Sequence, residues 1–268
     1  PENTPENTPE NTPGNTPENT YVLEVGPGPG GLTRALLDTP FVHVTALEAD
    51  RRFAPALDEI RAAAGADRFG YLIADALKTR LAAAVPHSPR AVIANLPYNV
   101  AAPLIVRWLH ELHADPVAWQ GVTVMVQREM AERIVAAPGG KTYGRLSVLV
   151  QALTRPEIVM QLPAAAFTPP PRVESSVIHL TPKGPEDLAA LPLAQLEAIT
   201  AAAFGQRRKM LRQSLKAYAA ALEAASVAPT GRAEDLSVAD YIALARHVPP
   251  SGPLPSDPPP SGSPLGTV

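Results

Sequence analysis

"LEVGPGPGGLT", residues 23–33, joins an apolar run to a turn of alternating glycine and proline and then to a helix start. Residues 21–25 read as a short buried strand, 26–31 as the turn, and 32–37 as a helix with Thr33 as its polar beginning. Glycines let a backbone come close to a ligand, so the segment superficially matches a dinucleotide-binding turn. A tight strand-to-helix connection has the same composition. The strand ends farther along the chain decide between them.

Outward from this turn the pattern is α/β. A second strand over 42–47 ends at Glu48-Ala49-Asp50, and residues 51–64 read as a helix with Phe53, Leu57 and Ile60 on one face. A third strand, 71–73, ends near Asp75. A fourth, 92–94, leads to a helix over 101–113 that is entered through Pro103. A fifth, 122–126, precedes a helix over 129–136, and 146–152 and 177–180 read as late strands flanking a proline-rich crossing. This alternation predicts a Rossmann-like, doubly wound, mostly parallel sheet. After Lys183 the strand signal stops. Residues 191–204, 206–225 and 238–246 read as helices of a small all-helical C-terminal domain, joined through a polar linker at 181–187.

The ends of the chain differ in composition. Residues 1–20 repeat Pro-Glu-Asn-Thr with one Gly14 interruption and no apolar side chain, and the segment from Pro249 carries eight prolines. Both are expected to be disordered. The expected domains are therefore 1–20 (repeat), 21–182 (catalytic), 183–248 (helical, RNA-binding) and 249–268 (tail). The 268 residues contain no cysteine, which excludes disulfides and thiolate chemistry and fits a reducing cytoplasm. No apolar run reaches 18 residues, so neither a membrane partner nor a membrane span is expected. The net charge of −3 leaves any nucleic-acid role to a local basic patch.

Three strand ends carry groups suited to a nucleoside. Glu48, 22 residues after Gly26, is placed to hydrogen-bond both ribose hydroxyls, and Asp75 to accept from an adenine amino group. Pro27 and Pro29 remove two N–H groups that a pyrophosphate would need. Glu24, inside the first strand, suits an ammonium-bearing ligand. Together these favour S-adenosylmethionine over a dinucleotide, with no metal, and with Gly26 and Gly28 shaping the turn beside it.

"VIANLPYNV", 92–100, supplies the reacting end. An exocyclic adenine amine is a weak nucleophile because its lone pair is delocalised into the ring. The Asn95 side-chain oxygen and a backbone carbonyl at Leu96 or Pro97 can grip both of its N–H bonds and aim the lone pair at a methyl group. Tyr98 offers a face for a flipped base, and Phe167, ahead of three prolines, a second plate held at low entropic cost. For the basic side, residues 204–216 hold five cations and no acid. Arg208, Arg212 and Lys216 are expected on one helical face beside an inward stripe of Leu211, Leu215, Tyr218 and Leu222.

With these motifs in view, the sequence resembles the small-subunit ribosomal RNA adenine dimethyltransferase family from about Tyr21 to Arg246. The resemblance rests on Glu24 to Thr33, Glu48, Asp75 and Asn95-Leu96-Pro97-Tyr98. It rests also on Val126-Gln127-Arg128-Glu129, on Phe167-Thr168-Pro169-Pro170-Pro171-Arg172-Val173, and on Phe204-Gly205-Gln206-Arg207-Arg208-Lys209. It implies methylation of N6 on two adjacent adenosines near the 3′ end of small-subunit rRNA in an immature subunit, by a cytoplasmic monomer. It also implies that Gly26, Glu48, Asp75 and Asn95 contact S-adenosylmethionine, that Asn95 to Tyr98 and Phe167 hold the adenine, and that Arg207, Arg208, Lys209, Arg212 and Lys216 meet RNA. A sister branch that methylates large-subunit rRNA and a non-catalytic assembly factor keeping the fold are the competing functions. Where the family carries a helix and a Gln-Asn/His-Phe-Leu segment over the cofactor, this sequence has the Pro-Glu-Asn-Thr repeat. The expectation is a chain truncated or mis-started there, or one that binds its cofactor weakly.

Overall fold

The computed structural model describes residues 20–249 apart from Pro89, 168–170 and Arg172, and apart from the side chain of Tyr98. The repeat over 1–19, the tail from 250, and three of the four residues that come after Phe167 lie outside the described residues.

Among the described residues the first compact unit holds those from Thr20 to Pro97 together with 118–125. β1 (Thr20–Val25) leads through the glycine turn into α1 (Gly31–Leu37), then β2 (Val42–Glu48). A single 3-10 turn, Arg51–Phe53, opens α2 (Ala54–Ala64), followed by β3 (Phe69–Ile73), the short α3 (Leu81–Ala84) and β4 (Arg90–Asn95). After α4 (Tyr98–Ala114) the chain returns as β5 (Gly121–Gln127). β1 pairs in parallel with both β2 and β4, β2 with β3, and β4 with β5. The register sets Val25 against Leu47 and Ala94, so the carboxyl ends of the central strands stop level with one another. Strands buried on both faces need near-continuous apolar runs, which is what Val22–Leu23 and Val44–Leu47 supply. Val22, Val44, Ala46 and Phe69 close on Leu57 and Ile60 of α2, the apolar face read from the sequence.

Among the described residues the second unit comprises 98–117 and those from 126 to 249. Here α5 (Arg128–Ile134) and α6 (Arg145–Leu153) lead into an antiparallel pair, β6 (Thr154–Leu162) and β7 (Ser175–Pro182). The helices α7 (Pro185–Ala189), α8 (Leu193–Gly205), α9 (Leu211–Ser214), α10 (Ala219–Ala224) and α11 (Val238–Arg246) complete it. The sheet order is β3-β2-β1-β4-β5-β7-β6, which makes it seven-stranded and mostly parallel with helical connections, as the alternating pattern predicts. Among the described residues no helix is long and apolar enough to cross a membrane.

Two local expectations fail in this unit's first half. Residues 146–152 form the body of α6, not a strand. Val148, Leu149, Val150, Ala152 and Leu153 are all buried, and an apolar run buried all round carries no period that separates helix from strand. The polar signal is Ser147, whose hydroxyl accepts from the Gly144 N–H (3.0 Å) and donates to Arg133 O (2.5 Å) at the helix start. The proline-rich crossing, to which the sequence reading assigns no element, contains β6. Pro156 disguises it, and the strand tolerates that proline as the outermost of the sheet.

Candidate active site at the strand ends

In an open parallel sheet the chain leaves adjacent strands in opposite directions at one point, and ligands bind there. In the first unit that point lies between β1 and β4, which connect to β2 and β5 on opposite sides. The glycine turn sits at the end of β1. Gly26, Gly28 and Gly30 take φ of +71°, +55° and +85°, a left-handed region costly for residues with a Cβ. At Gly30 the Cβ would also run into Ile60 Cδ1 of α2. A Cβ on Gly26 would stand 3.9 Å from the Asn95 carbonyl oxygen, so the turn passes close to the end of β4.

Glu48 ties this turn down. One carboxylate oxygen accepts the Gly28 N–H at 3.0 Å and the other the Asp50 N–H at 2.8 Å, with the residue only 6% exposed. Each oxygen keeps a further lone pair for a ligand hydroxyl. Asp75 lies just beyond β3, where Ala74 donates its N–H to Glu48 O (2.9 Å). The Asp75 carboxylate accepts from Leu77 N (2.9 Å) and lies 3.9 Å from Lys78 Nζ. Asn95 ends β4 with its side chain exposed, while the Leu96 side chain beside it is buried and the Leu96 N–H reaches Met125 O at 3.4 Å. Thus Gly26, Gly28, Glu48 and Asn95 stand at the carboxyl ends of β1, β2 and β4, and Asp75 two residues past the end of β3. Leu96 anchors the segment that carries Asn95 and the exposed Pro97.

Glu24 is buried in β1, and Thr33 of α1 donates to its carboxylate at 2.6 Å. Desolvation pushes this carboxyl up to about 7; the Thr33 bond opposes the shift and the neighbouring Glu48 charge adds to it. From sequence, Thr33 is legible only as a helix start. An acid in a strand and a hydroxyl nine residues on, across a tight turn, is the signal that pairs them. A folded-state pKa raised above the unfolded value means that the native chain holds the extra proton between about 4.5 and 7. Stability is then fullest below pH 4.5 and is lost as pH rises towards 7. Wild-type stability should therefore fall by about 3 kcal/mol across that window from this group alone, and Glu24→Gln should remove that component. Urea titrations of both proteins at pH 5 and pH 8 check it; an identical pH dependence would show Glu24 ionised throughout.

In the second unit Tyr98 opens α4 and Phe167 comes after the 3-10 turn Ala164–Ala166, half-buried with extended backbone. The basic segment departs from expectation. Residues 206–225 do not make one helix, so Arg208, Arg212 and Lys216 do not share a helical face. α8 stops at Gly205, and Met210 is extended (φ −66°, ψ 152°) in a bridge to Arg232. Arg212 lies in α9 and Lys216 in the separate 3-10 turn Lys216–Tyr218, since Leu215 (φ −107°, ψ 28°) breaks the helix. The inward stripe survives at Leu211, Leu215 and Leu222, all buried. Arg208, Lys209, Arg212 and Lys216 are exposed, whereas Arg207 is engaged internally with Glu234 (3.3 Å) and Gly140 O (3.2 Å).

A family model described as ribosomal RNA adenine dimethylase matches residues 10–248. The chain belongs to the ribosomal RNA adenine dimethylase family. A protein of Cereibacter sphaeroides (strain ATCC 17025) named ribosomal RNA small subunit methyltransferase A is 50% identical to it, over 85% of this chain and 81% of its own. One of the same name from Gluconobacter oxydans is 50% identical over 84% of this chain and 72% of its own. Among solved structures, the fold is matched by a dimethyladenosine transferase from Plasmodium falciparum (TM-score 0.70, 24% identity, 84% of this chain and 88% of that one). A 23S rRNA methyltransferase, ErmE, matches with a TM-score of 0.63 at 25% identity, over 85% of this chain and 90% of that one.

Proposed function

We propose that the protein transfers methyl groups from S-adenosylmethionine to N6 of two adjacent adenosines near the 3′ end of small-subunit rRNA, within an immature subunit. The family and its relatives' names support rRNA adenine as the substrate. The observation that carries the cofactor is the strand-end cluster, where Glu48 reaches the glycine turn, Asn95 ends the neighbouring β4 and Asp75 follows the end of β3. The residues fit such a group. A turn with Pro27 and Pro29 in place of N–H donors is poor for a pyrophosphate. Glu24, forced towards neutrality by burial, gains most from a cationic neighbour. Bound there, S-adenosylmethionine supplies an electrophilic methyl on a sulfonium.

The chain's own part is positioning. Asn95 Oδ1 and a backbone carbonyl at Leu96 or Pro97 accept the two N6 hydrogens. This draws the nitrogen out of conjugation and orients its lone pair. No base is required beforehand, because nitrogen becomes acidic once it bears the new bond and a positive charge. Tyr98 and Phe167 serve as stacking plates for the base, and Arg208, Lys209, Arg212 and Lys216 as phosphate contacts. Arg207, held by Glu234, contributes by fixing its own loop. The protein is read as acting alone in the cytoplasm. Incubated with immature small subunits and S-adenosylmethionine, it should yield N6,N6-dimethyladenosine on mass spectrometry of the digested rRNA. Methylation confined to cytosine, guanine or large-subunit rRNA would overturn the assignment.

A further inference from the structure

The second unit contains a pocket of about 200 Å³ lined by Arg155, Lys183, Arg246 and Asp187, with Leu191 and Ile242 among its apolar residues. None of these four charged residues belongs to the strand-end cluster or to the basic segment at 207–216. They meet because of the fold. Arg155 is the second residue of β6 and pairs with Thr181 of β7, and Lys183, just past β7, donates its backbone N–H to Leu153 O at 2.9 Å. Arg246 is the last residue of α11, which packs on α6 immediately before β6.

Three cations thus face one acid. Among the described residues, no carboxylate lies within ion-pair distance of Arg155, Lys183 or Arg246. Burial lowers the Lys183 pKa, Asp187 opposes that shift, and Arg155 adds to it. Arg155 and Arg246 are exposed and Lys183 half-buried, and excess positive charge in such a concave site is relieved by an oxyanion that accepts several charge-assisted hydrogen bonds. The lining offers no aromatic face for stacking a base. Apart from Asp187 its charged groups are cationic, so it is suited to a phosphate and not to a base edge.

We infer that this pocket is a phosphate-binding subsite that holds one backbone phosphodiester of the rRNA substrate, independently of its sequence. The subsite rests on the rRNA reading of the protein's function. The test measures binding of the full-length protein to a 3′-terminal small-subunit rRNA fragment at several salt concentrations. R155Q/R246Q should flatten the log–log salt slope by roughly 0.7–0.9 for each phosphate the variant no longer neutralises. Circular dichroism reports folding, and K183Q, which leaves both arginine stems packed, repeats the test if the double variant unfolds. In parallel, inorganic phosphate is titrated and followed by ³¹P NMR. An unchanged slope in a folded variant overturns the subsite while leaving the rRNA reading intact. An unchanged slope with phosphate broadening lost only in the variant gives the pocket to free phosphate, and equally overturns it. A wild-type protein without affinity for the fragment overturns the rRNA reading and the subsite together.

Discussion

Replacing Asn95 by alanine is expected to slow methyl transfer by on the order of 10²-fold or more while weakening cofactor binding less than Glu48→Ala does. The residue ends β4 with an exposed side chain, held in place by the buried Leu96 next to it. Losing its oxygen removes one of two acceptors that orient the attacking nitrogen, and misorientation falls on the chemical step. Single-turnover rates with saturating cofactor measure this directly, and calorimetry measures the affinity. Asn95→Asp, which keeps a side-chain acceptor at the same reach, should retain more activity than Asn95→Ala. Alanine and aspartate variants that both run at near wild-type rates would remove the side chain from the chemistry.

Glu48→Ala is expected to weaken S-adenosylmethionine binding by about 1–3 kcal/mol, because ribose hydroxyls would be left in a site with no acceptor. A tenfold rise in Kd corresponds to about 1.4 kcal/mol. The structure adds a second consequence. Glu48 also accepts the Gly28 and Asp50 N–H groups, so its loss frees the turn as well as the ligand. Melting temperature should fall with the affinity. A fall in melting temperature with unchanged affinity would make Glu48 a structural tie only.

Much of this site is readable from residue types at strand ends, because open parallel sheets bind ligands at the carboxyl ends of their strands and polar residues there stand out against apolar runs. Glu48, Asp75 and Asn95 are legible for that reason. Thr33 is not, since its partner Glu24 is met only when α1 folds back over β1. In the second unit the same logic fails at residues 145–153 and 154–162. A helix buried on all sides and an edge strand that carries Pro156 both lose the signal that identifies them. The basic pocket is invisible for another reason: Arg155, Lys183 and Arg246 are far apart in the chain and are gathered by tertiary structure alone.

The turn after β1 alternates two kinds of residue with opposite conformational habits. Gly26, Gly28 and Gly30 sit at positive φ, and Pro27 and Pro29 between them can take only negative φ. Proline cannot stand at the three positive-φ positions, so the turn tolerates no one-residue slip of register. The prolines also narrow the ensemble of the unfolded chain at this spot, offsetting part of the freedom that three glycines would otherwise give it. A loop restricted in this way loses little further freedom when a ligand arrives. Cofactor capture should therefore leave its mark in a small entropic penalty, not in a rearrangement of the backbone.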